Sequence, residues 1–140
     1  MSSTGSSVAS SHLRLADGLI ETAKISRDCS EYDIRNAYSR SYYALFHACH
    51  GYLRAIGFDV DSLERKHPRL HAEMARQMGK WLGQFFRNAW ERRCDSDYAP
   101  GWSVPPYYSC VKQLKEAQDQ YDSVRRKTKG LISQAAHRER

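Results

Sequence analysis

The stretch SEYDIRNAYSRSYYALFHACHGYLRAIG, residues 30–57, decides the fold. Ser30 is suited to accept a hydrogen bond from the first turn of a helix that starts near Glu31, and Gly57 is suited to end it in left-handed geometry. Between them Ile34, Ala37, Ser41, Ala44 or Leu45, Ala48 and Tyr52 recur at helical spacing, small and apolar enough to pack against other helices. A helix of this length and stripe width predicts a bundle built around it.

Outward from this helix the same period continues. Leu13, Ala16, Ile20 and Ala23 predict an amphipathic helix from about His12 to about Ser26, preceded by a Ser-rich leader over residues 1–11 that is expected to be disordered. Phe58 to His67 reads as a linker, and Pro68 fits the first position of a third helix because its missing N–H has no partner there in any case. Leu70, Met74, Met78, Leu82, Phe85 and Ala89, with Trp81 and Trp90 beside them, extend that helix to about Arg93. A loop rich in Asp, Gly and Pro follows from Cys94 to Pro106. Tyr107, Val111, Leu114, Tyr121 and Val124 then mark the last helix, for which Gly130 is a candidate break. The expectation is an all-α fold: a compact up-and-down antiparallel four-helix bundle over residues 12–128, with a basic C-terminal tail at 129–140.

At 140 residues the chain holds one core, which excludes a large multidomain enzyme. Mean hydropathy is −0.74, and no apolar run approaches the roughly 20 residues of a membrane span. Residues 1–11 carry six serines, no Lys or Arg and no apolar segment, so no signal peptide is expected and the location predicted is cytoplasmic. Cys29, Cys49, Cys94 and Cys110 form no C-x-x-C pair and read as reduced thiols. Net charge is +6, and nearly all of it comes from the end of the chain. Arg125, Arg126, Lys127, Lys129, Arg138 and Arg140 face only Glu139 there. Such a tail suits RNA, DNA or an acidic protein surface, or it is simply solvated.

Helix 31–57 also carries a second stripe. Arg40, Tyr43, His47, His50 and Arg54 are spaced by three, four, three and four residues, so they line one seam. Arg40 and His47, seven apart at about 100° per residue, return to within roughly 20° of the same direction. Phosphodiester chemistry asks for this pair: His moves protons near neutrality, and Arg grips a phosphate and stabilises developing charge. A packing histidine or a symmetric dimer seam fits the same spacing. His67 and His71 lack a nearby carboxylate or thiolate, so a capping or surface role is expected and no metal or cofactor is invoked. Gly79 and Gly83 suggest a close helix approach.

The segment from Arg35 through Tyr42-Tyr43-Ala44-Leu45-Phe46-His47-Ala48 resembles the HEPN superfamily, whose members carry a helix of the form R…YYA-x-FH-A. The string Glu91 to Tyr98 resembles the R-x-x-A-D-Y element of those domains, and helix order agrees over about residues 12–128. Arg40 and His47, with six residues between them, satisfy the long form of the family's Arg-then-His ribonuclease signature, and Ser41 supplies the polar residue after the Arg. The resemblance implies a metal-independent endoribonuclease, a homodimer whose Arg40 and His47 converge in one cleft and cut RNA through 2′-hydroxyl attack. Ser41, Tyr43, His50, Arg35 and Arg54 become substrate or dimer-cleft contacts, and Arg125, Arg126, Lys127 and Lys129 an RNA- or partner-binding tail. It further implies a toxin paired with a nucleotidyltransferase-like (MNT) antitoxin, or a phage-defence effector. Some paired toxins have a Tyr before the His, where this chain has Phe46. Other members are noncatalytic nucleotide-binding or partner-docking modules, which is the alternative reading.

Overall fold

A computed structural model describes residues 3–138, with side chains from residue 5 onward. The described residues form five α-helices: α1 (Ser3–Thr22), α2 (Glu31–Ala55), α3 (Lys66–Met78), α4 (Lys80–Tyr98) and α5 (Tyr107–Arg138). The all-α expectation holds, with one helix more than the sequence suggested.

Helix α2 starts on a reciprocal cap. The Ser30 hydroxyl accepts from the Asp33 N–H at 3.2 Å, and the Asp33 carboxylate accepts from the Ser30 N–H at 3.0 Å. Glu31 and Asp33 also place negative charge on the positive end of the helix dipole. At the other end Gly57, at φ 89°, lets the chain leave after Ile56. Helix α2 is the hub of the molecule, packed against α1, α3, α4 and α5. Tyr42, Leu45 and Leu53 from it are fully enclosed together with Leu70, Met74, Phe86 and Val124.

Pairs of touching residues give the directions. Ala9 meets Gly51, His12 meets His47 and Thr22 meets Arg40, so α1 runs antiparallel to α2. Arg35 meets Ser96 and Tyr42 meets Phe86, so α4 is antiparallel to α2 as well. Helix α5 is tied to α2 by the Tyr38 hydroxyl, which donates to Gln113, and to α1 by Tyr121 and Arg125 at Asp17.

Several expectations need correction. The leader is not a disordered segment over its described part, because residues 3–11 are the first turns of α1, with Ala9 wholly buried; residues 1 and 2 lie outside the described residues. Pro68 is the third residue of α3 and not the first, which costs nothing because the first-turn N–H groups have no intrahelical acceptor. The single helix expected from Pro68 to Arg93 is two helices folded back on each other at Gly79, whose φ of 109° only glycine adopts without strain. Helix α4 also continues to Tyr98, past the expected loop start at Cys94. Arg35 makes that extension stable by donating through Nη1 to the carbonyls of Asp95, Ser96 and Ala99 at 3.3, 2.9 and 3.1 Å.

The basic tail is likewise helical through Arg138, with no break at Gly130; Glu139 and Arg140 lie outside the described residues. Glycine costs a helix interior about 1 kcal/mol, but Thr128 and Ala135 on either side are buried and Ile132 packs on the core, which outweighs it.

The α3–α4 hairpin is closed by the expected close approach. A Cβ on Gly83 would stand 2.4 Å from the Ala75 Cβ and 3.1 Å from its Cα. Gly83→Ala therefore pushes α3 away from α4, and a loss of about 1–3 kcal/mol is expected in urea denaturation. A midpoint equal to that of the parent would show that the hairpin yields freely.

Candidate functional site

The α1–α2 seam holds the polar residues of interest. Arg40 is exposed and donates through Nη1 to the Thr22 hydroxyl at 3.2 Å, at the C-terminal end of α1. Two turns further along α2, His47 is half-buried, and its Nδ1 lies 3.0 Å from the Nδ1 of His12 on α1. Seven helical residues span roughly 10 Å. Each member of the pair engages a different part of α1, so both lie on the expected seam without meeting over one atom in a single protomer.

His12 is the residue the sequence reading missed. Its ring stacks face to face on His50 at 3.8 Å between centroids and lies nearly parallel to His47, edge to edge at 5.3 Å, forming a three-imidazole cluster between α1 and α2. The signal was available in the spacing of Ala9, His12 and Ala16, which share a face once α1 is extended back into the Ser-rich segment. A leader taken as disordered left His12 at a helix end with no neighbours.

His50 is almost fully enclosed, and among the described residues neither ring nitrogen has a hydrogen-bond partner. The Asp61 carboxylate stands 3.5 Å from its Nε2, beyond the usual reach of a hydrogen bond. Asp61 is itself held by Arg54 at 3.2 Å and Lys66 at 3.7 Å. Because His12 and His50 lie face to face, their in-plane lone pairs run side by side instead of converging. Among the described residues no group of His, Cys, Asp or Glu is arranged to hold a metal ion.

Burial sets the charge state of this cluster. Desolvation, followed by repulsion from His12, lowers His47 to about 4 and His50 to about 4. His12 is lowered too, by burial, with Asp61 opposing the shift. All three rings are neutral at pH 7.

The other expected contacts are spread over the molecule. Ser41 is buried and its hydroxyl donates to the Tyr38 carbonyl, pointing into the bundle. Tyr43 faces away from α1, with the Arg93 guanidinium 5.2 Å above its ring. Arg35 pairs with Glu31 at 2.9 Å and caps α4, remote from His47. Arg54 is engaged by Asp59 and Asp61. In the tail, Arg125 donates to both oxygens of Asp17 at 2.8 and 3.2 Å, while Arg126, Lys127 and Lys129 stand exposed on α5.

His67 and His71 converge on one atom. The Tyr42 hydroxyl lies 2.7 Å from His67 Nδ1 and 2.9 Å from His71 Nε2. His71 is buried, so the surface role expected for it gives way to a core hydrogen bond, and burial lowers it to about 4.

His47, His50 and His71 make stability depend on pH with a definite sign. In the unfolded chain each binds a proton as pH drops below about 6.5. In the fold each resists until about 4. The unfolded state thus binds more protons over that window, and stability declines as pH falls from about 6.5 to about 4. Thermal melts should be level from pH 8 to 7 and drop steadily below; level melts down to pH 4.5 would contradict the buried neutral imidazoles.

No family model and no curated protein matches the chain. No helix among the described residues is long and apolar enough to cross a membrane.

Proposed function

We propose that the protein is a metal-independent endoribonuclease of the HEPN type, acting as a cytoplasmic toxin or phage-defence effector through Arg40 and His47. The observation that carries this reading is the state of His47: a half-buried, neutral imidazole on the same helix face as an exposed arginine. Its Nδ1 is engaged by His12, and its Nε2 has no hydrogen-bond partner among the described residues.

In this mechanism the 2′-oxygen of RNA forms a bond to phosphorus as the bond from phosphorus to the 5′-oxygen breaks. The 2′-hydroxyl proton passes to the bare Nε2 of one His47. The 5′-oxygen receives a proton from the protonated His47 of a second copy, and Arg40 stabilises the charge on the phosphoryl oxygens. A bound phosphodiester favours the imidazolium and raises the titration of His47 back toward neutral pH, which suits it to both roles. Because Arg40 and His47 lie roughly 10 Å apart along α2, the reading requires a homodimer in which two α2 helices complete one cleft. Exposed Arg126, Lys127 and Lys129 supply positive charge for RNA or for a nucleotidyltransferase-like antitoxin.

An oligonucleotide with one cleavable linkage tests the chemistry. Cutting in EDTA should leave a 2′,3′-cyclic phosphate, and a 2′-deoxy sugar at that linkage should abolish it; cleavage of the deoxy substrate would refute the 2′-hydroxyl route.

One observation favours a second reading. Arg40 bonds Thr22 and His47 contacts His12, so both also fasten α1 to α2. In that reading the protein is a noncatalytic nucleotide- or partner-binding module in which the two residues serve packing, and their substitution loosens the bundle or its dimer with no cleavage to lose.

A further inference from the structure

We propose that His12 is a positioning residue for His47, holding its ring through the Nδ1–Nδ1 contact and dictating which His47 nitrogen carries the proton. A contact of 3.0 Å between two ring nitrogens requires one hydrogen between them, no more and no fewer. If that hydrogen belongs to His47, its Nε2 is bare and accepts a proton. If it belongs to His12, His47 carries its proton on Nε2 and donates. The tautomers of the two rings are therefore locked to each other, as in other sites where the second nitrogen of a working histidine is held by a fixed partner.

The packing is built to bring His12 there. Its ring is sandwiched against His50 at 3.8 Å, and α1 approaches α2 over Gly51, where a Cβ would come within 3.1 Å of the Ala9 carbonyl oxygen and 3.4 Å of the His12 Cβ. A larger residue at position 51 would lift α1 and with it the His12 ring.

Charges around the pair bias it. His12 faces His47, His50 and Arg54 from α2, Lys66 from α3 and Asp61 from the α2–α3 connection; Asp61 alone favours its cation. His47 is opposed by His12 without a carboxylate in its favour. On acidification the added proton settles on His12, which then donates to His47 Nδ1 and fixes His47 in the Nε2–H form. The base form of His47 is thereby lost as His12 titrates.

The catalytic meaning of this arrangement rests on the ribonuclease reading, so the test separates the two. Ring-nitrogen NMR of the full, 15N-labelled chain at pH 7 should show His47 as one fixed tautomer. His12→Ala should give averaged His47 nitrogens and lower RNA cleavage by on the order of a hundredfold. His12→Asn, whose amide N–H replaces the Nδ1–H, should restore a single Nε2–H tautomer and recover about tenfold of the loss, in the acid role only. Averaged tautomers in the parent, or a His47 spectrum unchanged by His12→Ala, would overturn the proposal. Should His12→Ala fail to fold, the parent and the Asn variant decide it. Fixed tautomers without cleavage by any form would sink the ribonuclease reading and leave the positioning role standing.

Discussion

Replacing His47 with alanine should lower RNA cleavage by about two to four orders of magnitude, the range over which a positioned proton donor or acceptor acts. The variant should keep the fold, because His47 is only half-buried and lies outside the core cluster. Arg40→Ala is the companion test. Arg40 is exposed and among the described residues makes a single hydrogen bond, to Thr22, so its removal should shift stability by no more than about 0.5 kcal/mol. Cleavage should nevertheless fall by about two orders of magnitude or more if its guanidinium meets the charge that develops on phosphate. The loss should appear in kcat more than in KM, and Arg40→Lys should not restore it, since a lysine lacks the two-pronged donor. Full activity in both variants would show that the seam is packing.

The second large effect concerns stability. Phe86→Ala should cost about 3–5 kcal/mol, about a fifth or more of what a domain of this size possesses. Phe86 is wholly buried where α2, α3 and α4 meet, edge-on to Tyr42 at 5.4 Å and 4.3 Å from the His71 ring. Removing it leaves a void beside the hydroxyl that ties Tyr42 to His67 and His71. Tyr42 is itself held in place by the Arg93 guanidinium over its ring and by its hydroxyl between the two histidines, which limits how far it can move into the gap. In urea the midpoint should drop with the slope unchanged; a loss under 1 kcal/mol would mean that the helices collapse into the gap.

What was legible in the sequence follows from how local each signal is. Helix α2 was readable at its start because Ser30 and Asp33 cap each other within four residues, and at its end because Gly57 sits beside a break in the apolar stripe. The α3–α4 turn was not, since Leu70, Met74, Met78 and Leu82 keep step across Gly79 as though one helix continued. Only packing of Gly83 on Ala75 shows that the stripe doubles back. Residues 3–11 have weak local preference for helix and are held by a distant contact, Ala9 at Gly51, and the helix passes Gly130 because Thr128 and Ala135 on either side of it are buried. The candidate site divides the same way. Arg40 and His47 were legible because both lie on one helix, whereas His12 lies 35 residues before its partner and emerges only when α1 is set against α2.

The most direct measurement is RNA cleavage in EDTA by the parent protein beside His47→Ala, with both shown to be folded and of the same oligomeric state. The account predicts fragments from the parent and intact RNA with the variant. Intact RNA with both, or equal fragmentation by both, would contradict it.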